Sequence, residues 1–250
     1  MSATKIQINP NPTYDALIQR VIGKHPAFQG CRAETRESLL RASSVRPFAR
    51  GESVTVRGGP VDALHIVLSG SLEVGMHDPD GKHYVRWYLE PGQLQSFIPL
   101  IDGKGAIYDS RAHSDALLLQ IPRDVLMTAV AEDHELMQSL LLMLCERSRA
   151  IHETAAAEVL MTLGGRVARM LLLLIDAYGR ESGAGLELSL KLSQDEFAAM
   201  LGVTRQSLNR ELKAFEGRGV IKIAYSRITV LDVPALRRVA RIEKPEAPLD

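Results

Sequence analysis

Residues 192–216 read Leu-Ser-Gln-Asp-Glu-Phe-Ala-Ala-Met-Leu-Gly-Val-Thr-Arg-Gln-Ser-Leu-Asn-Arg-Glu-Leu-Lys-Ala-Phe-Glu. Ser193, followed three residues later by Glu196, forms a capping box and predicts that a helix starts here. Gly202 is expected to end that helix, because glycine readily adopts the left-handed conformation found at helix ends. Thr204 is a good N-cap for a second helix. Two helices joined by a short turn that contains glycine are typical of a helix-turn-helix.

The two helices have distinct apolar and polar faces. Apolar residues recur at helical spacing and predict a buried face made of Phe197, Ala198, Leu201, Leu208, Leu212 and Phe215. Long polar side chains fall on other faces of the second helix, namely Arg205, Gln206, Asn209, Arg210 and Lys213. Such side chains at the start of a second helix can reach base edges in the DNA major groove. An ordinary helical hairpin is the alternative, but caps, turn and faces all favour DNA binding.

The charge and the segment after the second helix agree with this interpretation. The whole chain has a formal net charge of zero, but residues 205–227 contain six basic and two acidic residues, a net charge of +4. A local basic patch of this kind is what contacts to phosphates require. Residues 217–223 and 226–231 predict two short strands that form a hairpin around Tyr225. A helix-turn-helix followed by a hairpin is a winged module.

Residues 45–122 have a different character, because glycines separate short runs of β-forming residues. The clearest predicted strands are Ala63–Leu68, Ser71–Val74, His83–Leu89 and Ala116–Ile121. Asp78-Pro-Asp-Gly81 predicts a hairpin turn. Many short strands at this spacing indicate a sandwich, roll or barrel. Two helices are predicted before them, at about Tyr14–Ile22 and Glu34–Arg41.

A long helix is predicted from Asp133 to about Met161, where neither proline nor glycine occurs. Its residues at alternating steps of four and three form a seam consisting of Met137, Leu141, Leu144, Ser148, Ile151 and Ala155. Such a seam predicts a partner helix, and therefore a dimer. A helix packed only on its own domain is the alternative. Gly164 and Gly165 are expected to break the helix and act as a hinge, and a loop over 178–185 and a strand over 186–190 are expected to follow.

Taken in order, these elements resemble the Crp–Fnr family of transcription regulators over nearly the whole chain. The residues that carry the resemblance are Ile66–Val74, Pro91–Gln93, Gly165–Ala168 and Thr204–Arg210. The resemblance implies an α+β fold with an N-terminal antiparallel β-roll of the jelly-roll type, a long dimerisation helix and a C-terminal winged helix-turn-helix. The expected domains are 1–132 for the effector, 133–163 for dimerisation and 164–250 for DNA. The implied function is regulation of transcription by a homodimer on palindromic double-stranded DNA, with RNA polymerase as a further partner.

The resemblance also implies roles for residues of the second helix. Arg205 would bind the O6 and N7 edge of a guanine. Gln206 stands where the family often has glutamate, so the preferred base at that step is expected to differ. Arg210 would contact a base or a phosphate, and Thr204 and Ser207 would anchor phosphates.

The segment that would hold a cyclic nucleotide departs from the family pattern. Ser96 and Phe97 fall where a Gly-Glu pair is expected, and residues 106–108 read Ala-Ile-Tyr where Arg-Ser-Ala is expected. On the long helix, Ile151 and His152 replace small polar residues. An anion without a paired cation would be costly to bury. The chain is therefore not expected to bind cyclic AMP in the usual mode.

An effector pocket is still expected, either for an unidentified small organic molecule or as a vestige. Its candidate residues are Trp87, Ser96, Phe97, Tyr108, Arg111, Ile151 and His152. An iron–sulfur cluster is not expected, because Cys31 and Cys145 are the only cysteines; each is predicted to be a buried free thiol. A haem sensor stays an alternative, although no histidine spacing selects an axial ligand.

Two other classes of function compete with DNA binding. An effector-binding module without a DNA role would not need the basic second helix. An enzyme built on the roll would need clustered histidines, and no His-x-His, Walker loop or Gly-x-Ser-x-Gly occurs. No catalytic residue, metal site or cofactor is expected. The longest apolar run, Met170–Ile175, is too short to cross a bilayer and no signal peptide is recognisable, so a cytoplasmic location without membrane contact is expected.

Overall fold

The computed structural model describes residues 12–23, 25–77, 83–224 and 227–240. The chain divides into two compact units, with the division between Arg149 and Ala150. Within the described residues, no helix is both long and apolar enough to span a membrane.

In its described residues, the first unit contains two four-stranded antiparallel sheets and six helices or parts of helices. The helices are α1 (Pro12–Ile22), α2 (Pro26–Gln29), α3 (Ala33–Ala42), α4 (Phe97–Asp102), α5 (Arg123–Glu132) and the first part of α6 (His134–Leu160). The strands are β1 (Ser44–Phe48), β2 (Ser53–Thr55), β3 (Ala63–Ser69), β4 (Leu72–His77), β5 (His83–Leu89), β6 (Leu94–Gln95), β7 (Asp109–Ala112) and β8 (Ala116–Pro122). One sheet has the order β1-β8-β3-β6 and the other β2-β7-β4-β5. The predicted β-roll is confirmed; the predicted turn at residues 78–81 lies outside the described residues.

Strand β3 is buried along almost its whole length because both faces of its sheet are covered. Val67 packs with Leu118 and with Leu72 and Val74 of the other sheet in a roll-side cluster. Ile66 and its neighbours of the same parity pack instead against the helices in a helix-side cluster. A strand buried on both faces reads as a continuous apolar run, as residues 63–68 do, except for His65.

The second unit contains the end of α6 and a winged helical module. Its other elements are α7 (Leu163–Tyr178), β9 (Gly179–Ser182), β10 (Gly185–Leu188), α8 (Gln194–Leu201), α9 (Arg205–Gly217), β11 (Ile221–Ala224), β12 (Arg227–Val230) and α10 (Val233–Val239). The predicted wing is confirmed as the β11–β12 pair, although Tyr225, the predicted centre of the hairpin, lies outside the described residues. The loop predicted over residues 178–185 is wrong, because β9 forms there and pairs with β10, which in turn pairs with β12. The wing therefore belongs to a sheet of order β11-β12-β10-β9.

The long helix α6 begins as predicted and is capped by a buried carboxylate. Asp133 Oδ1 accepts hydrogen bonds from the backbone N–H groups of Glu135 and Leu136, each at 3.1 Å. Asp133 Oδ2 accepts from the N–H of Arg32 at 2.9 Å, which attaches the start of α6 to the beginning of α3. Further along α6, Cys145 is exposed, whereas Cys31 is buried. The prediction of a buried thiol is therefore wrong for Cys145.

The expected helix break at Gly164 and Gly165 is also corrected. Helix α6 ends at Leu160, and α7 begins with Thr162 as its N-cap, whose Oγ1 accepts a hydrogen bond from Gly165 N–H at 3.2 Å. Both glycines lie in the first turn of α7. A Cβ on Gly164 would lie 2.9 Å from Glu211 Oε2 of α9. The glycines therefore allow close packing, and the interruption of the helix lies at residues 161–162.

Candidate nucleic-acid interface and effector region

The helix-turn-helix forms through the local signals present in its sequence. Glu196 N–H donates to Ser193 Oγ at 3.2 Å, and Ser193 N–H donates to Glu196 Oε2 at 2.6 Å, which completes the capping box of α8. Gly202 ends α8 in the left-handed conformation, with φ of 65°. Thr204 Oγ1 then accepts from Ser207 N–H at 3.2 Å and caps α9. The predicted starts of both helices and the predicted end of the first are confirmed.

The two faces of the motif separate as expected. The predicted apolar face is buried, with Phe197, Ala198, Leu201, Leu208, Leu212 and Phe215 all in the core. Thr204, Arg205, Gln206, Arg210 and Lys213 are exposed on α9 or its cap, and Ser207 and Asn209 are half-buried. The seven residues proposed for DNA contact therefore all lie on α9 or its cap, and most of them near its start, where a recognition helix contacts bases.

Arg205 already has polar partners on the preceding helix. Its Nη1 lies 3.2 Å from Asp195 Oδ2, and its Nε donates to Gln194 Oε1 at 3.3 Å. Arg205 and Asp195 are both largely exposed, so the pair contributes little stability. Because the interaction is weak, a guanine or a phosphate can replace it. Asp195 and Gln194 were missed at the sequence level, although their position in the first turn of α8 places them opposite the start of α9.

The wing adds positive charge to the same unit. Lys222 on β11 and Arg227 on β12 are exposed. Arg227 Nη1 lies 3.1 Å from Glu187 Oε1 of β10. The position of these side chains on the hairpin is suited to phosphate contacts beside a groove.

The predicted seam of α6 consists mainly of exposed side chains. Leu141 is 59% exposed, and Met137 and Ile151 are each 42% exposed. Ser148 and Ala155 are also exposed, whereas Leu144 is half-buried against the helix-side cluster. An apolar stripe in this exposed state is untypical of a helix that packs only on its own domain.

The candidate effector residues are distributed over different surroundings. The rings of Trp87 on β5 and Tyr108 approach edge to face, with centroids 5.3 Å apart, and both pack against the roll-side cluster. Phe97 is only 4% exposed and belongs to the helix-side cluster. Ile151 and His152 are exposed on the part of α6 that belongs to the second unit. Within the first unit, the structure brings Trp87 and Tyr108 together and places Phe97 in the other cluster.

Arg111 takes part in an ion pair, and Ser96 occupies an unusual backbone conformation. Arg111 Nη2 lies 2.7 Å from Oε1 of the buried Glu73, its direct cross-strand partner, and Tyr88 donates to the other Glu73 oxygen at 3.2 Å. Ser96 precedes α4 with a φ of 72°. Among the described residues it is the only non-glycine with a positive φ, a conformation that carries strain.

Two arginines beside Trp87 were missed at the sequence level. The Cζ atom of Arg147, on α6, lies 4.5 Å from the centroid of the Trp87 ring, and the Cζ atom of Arg86 lies 5.2 Å from it. Burial lowers the pKa of Arg147; Tyr108 acts against this shift, and the nearby charge of Arg86 adds to it. The Nε1 of Trp87 is buried without a hydrogen-bond partner among the described residues.

Gln95 and His65 form polar contacts inside the first unit. Gln95 Nε2 donates to Thr55 Oγ1 at 3.1 Å and to Ser110 Oγ at 2.5 Å. His65, opposite Gln95 on β3, has its Nε2 2.9 Å from the side-chain nitrogen of Gln120. Burial lowers the pKa of His65 to about 4, so the imidazole is neutral near pH 7.

Comparisons with known proteins cover both units. Residues 45–133 match the family described as a cyclic nucleotide-binding domain, and residues 165–239 match the Crp-like helix-turn-helix domain. The chain is 26% identical over 224 residues to the CRP-like cAMP-activated global transcriptional regulator of Mycobacterium tuberculosis, covering 90% of this chain and 100% of that protein. It is 28% identical over 198 residues to a Thermus thermophilus transcriptional regulator, LdrP, covering 78% of this chain and 96% of the relative.

Solved structures agree with these matches. A crystal structure of a CRP-family transcriptional regulator from Thermus thermophilus is similar to this chain with a TM-score of 0.65 and 27% identity. The similarity covers 79% of this chain and 97% of that one. The M. tuberculosis relative and both T. thermophilus proteins are described as transcriptional regulators.

Proposed function

The chain belongs to the Crp–Fnr family of DNA-binding transcription regulators, and from that premise we propose that it acts as a homodimer on a two-fold symmetric operator. The observation that carries the proposal is the exposed polar start of α9, where Arg205, Gln206 and Arg210 project from a helix with a fully buried opposite face. In a dimer, two such helices enter successive major grooves about 34 Å apart, which is one turn of DNA. Such a regulator works in the cytoplasm, where a bacterial chromosome lies.

Within each half-site, Arg205 exchanges its contacts with Asp195 and Gln194 for the O6 and N7 atoms of a guanine. Gln206, which can both donate and accept hydrogen bonds, selects the neighbouring base. Lys213 contacts the phosphate backbone, and so do the Thr204 and Ser207 hydroxyl groups at the start of α9.

The homodimer forms through the exposed seam of α6. Pairing of two copies removes Met137, Leu141 and Ile151 from water, and burial of such apolar surface is the main favourable term in association. The proposed functional division is 1–132 for the effector, 133–163 for dimerisation and 164–250 for DNA. RNA polymerase is a further proposed partner.

Control by cyclic AMP in the usual mode is not part of this proposal. The M. tuberculosis relative is described as cAMP-activated, whereas Phe97 in this chain is a core residue and Ile107 and Tyr108 supply no cation. We propose instead that another small molecule binds the roll and shifts the α6 helices. The interruption at residues 161–162 then changes how the two copies of α9 are presented to DNA.

A module whose main role is to sense a ligand is the second candidate, favoured by the Trp87–Tyr108 contact.

Selection of bound sequences from a random duplex pool tests DNA reading. The wild-type protein is expected to enrich a two-fold symmetric site. Arg205→Ala should lose about 1–3 kcal/mol at one base position in each half-site, whereas Lys213→Ala should weaken binding to all sequences alike. Arg180→Ala, which removes an exposed charge on β9, is the control and should leave the selected sequence unchanged. An Arg205→Ala protein that selects the wild-type site with wild-type affinity would contradict the assignment.

The mass of the protein in solution tests the seam. Leu141→Lys should give folded monomers in sedimentation equilibrium, because each copy would bring an unpaired lysine charge into the apolar seam. Leu142→Lys is a matched control, since Leu142 is 57% exposed on the same helix but lies outside the seam, and it should remain dimeric. A dimeric Leu141→Lys protein would show that another surface forms the dimer.

A further inference from the structure

Arg205 differs from the other basic residues proposed to contact DNA, because its guanidinium is held by a different helix. Its Nη1 lies 3.2 Å from Asp195 Oδ2, and its Nε donates to Gln194 Oε1 at 3.3 Å. Among the described residues, Arg210 forms an ion pair only with the carboxylate of the next residue, at 3.7 Å, and Lys213 forms none. The arginine proposed to bind a guanine is thus attached to α8, whereas the other two cations of α9 are not.

Both sides of this contact start from a fixed backbone. Asp195 lies in the first turn of α8, which the Ser193–Glu196 capping box closes. Arg205 is the first residue of α9 and directly follows the N-cap of that helix. The two side chains are 58% and 69% exposed, so the contact is weak and can break without movement of either helix.

The contact affects two kinds of DNA partner differently. The O6 and N7 atoms of a guanine offer two acceptors that match a guanidinium fork, and they replace both acceptors that Arg205 has on α8. A backbone phosphate offers one ion pair in exchange for another. It also leaves the exposed Asp195 carboxylate unpaired beside an anionic surface, where like charges repel. On DNA without the guanine, Arg205 is therefore expected to stay on Asp195.

We propose that Asp195 is a specificity-determining residue, although it contacts no base itself. It withholds Arg205 from the phosphates of unrelated DNA and releases it to the guanine of an operator half-site. Non-specific binding then depends on cations without such a restraint, such as Lys213, while specific binding gains Arg205 as well. The role of Asp195 rests on the proposed function, since it requires that Arg205 binds a guanine.

Asp195→Asn removes the charge of the side chain and keeps its size. With the ion pair lost, Arg205 becomes free to contact the phosphates of any DNA. Two copies in a dimer add two phosphate contacts, so the slope of log K against log salt concentration on unrelated DNA should steepen by about 2. The ratio of operator affinity to unrelated affinity should fall about threefold per half-site and about tenfold for the dimer, the size of an exposed ion pair.

Fluorescence anisotropy measures the ratio and the slope. The full-length protein is titrated with the operator duplex obtained by selection and with an unrelated duplex of equal length, at several salt concentrations. Asp176→Asn is the matched control, because it removes an exposed carboxylate from α7 of the same unit. It should raise both affinities by a similar factor and leave their ratio unchanged. Circular dichroism verifies that Asp195→Asn keeps the helical content of the wild-type protein.

A double substitution shows whether Asp195 acts through Arg205. In an Arg205→Ala protein, the further change Asp195→Asn should leave the affinity ratio and the salt slope unchanged, apart from the small effect seen in Asp176→Asn. A fall in the ratio as large as in the protein with Arg205 would mean that Asp195 acts only as a general negative charge. That result would overturn the proposal.

The outcomes distinguish the role of Asp195 from the proposed function. If the wild-type protein selects an operator and Asp195→Asn has the same affinity ratio and salt slope, Asp195 has no role in specificity and DNA reading by α9 stands. If the wild-type protein selects no operator, the proposed function fails, and the role of Asp195 fails with it. A lower ratio and a steeper slope that both require Arg205 would support the role assigned to Asp195.

Discussion

The buried imidazole of His65 makes the first unit sensitive to acid in a way that one substitution should remove. The Gln120 side-chain nitrogen can only donate, so His65 Nε2 must accept from it, which requires a neutral ring. Burial lowers the pKa of His65 to about 4, while Asp62 acts against this shift and Arg46 reinforces it. We expect His65→Gln, which keeps a polar partner for Gln120, to remove the acid sensitivity that the imidazole contributes.

The size of the effect follows from the two pKa values. The unfolded chain protonates His65 near pH 6.5, whereas the folded chain does so near pH 4. Between these values the unfolded state binds more protons, so the contribution of the neutral ring to stability is complete above pH 6.5 and is lost progressively as the pH falls from 6.5 to 4. The free energy of unfolding should drop by about 2 kcal/mol between pH 7 and pH 5, and by about 3 kcal/mol by pH 4.

Urea unfolding measures this contribution when it is followed by Trp87 fluorescence, since Trp87 lies in the same unit as His65. The quantity of interest is the difference in unfolding free energy between wild type and His65→Gln at each pH, because shared titrating groups cancel in it. His152→Gln, at an exposed position of α6, serves as the control. A difference that stays constant from pH 7 to pH 4 would refute the reasoning.

Two substitutions test how much local backbone features contribute to stability. Ser96→Gly should raise the free energy of unfolding of the first unit by about 1 kcal/mol, because glycine tolerates the φ of 72° there; a loss of stability in thermal unfolding would show that the serine side chain matters more than the strain. Ser193→Ala should lower the stability of the second unit by about 1 kcal/mol through loss of the capping box. Circular dichroism melts measure that loss, and a melting temperature equal to wild type would mean that α8 does not depend on its cap.

The winged helical module could be predicted from sequence because its signals are local. Ser193, Gly202 and Thr204 each determine a helix end through contacts with residues at most four positions away. The apolar face of α9 follows from helical spacing alone. The strands of the roll were recognisable for a related reason, since glycines separate short apolar runs.

The surroundings of Trp87 could not be predicted in the same way. The register of the β4–β5 pair shifts beside Trp87, so that Arg86 has no partner across the ladder. Arg147 approaches the Trp87 ring from a helix 60 positions further along the chain. The family pattern likewise does not reveal that the side chain of Phe97 packs into the helix-side cluster. Gly164 and Gly165 were expected to act as a hinge, because the sequence alone cannot distinguish glycines that permit bending from glycines that permit close packing.

Strand β3 has a consequence for how the first unit tolerates change over evolution. Because its alternate side chains belong to the roll-side and helix-side clusters, a substitution at one position disturbs the neighbouring backbone that both clusters share. The two clusters are thus expected to melt together, and amide protons of β3 should be among the last in the unit to exchange with solvent. Sequence drift in this unit is therefore expected to concentrate on loops and helix surfaces, while residues 63–68 stay apolar apart from His65.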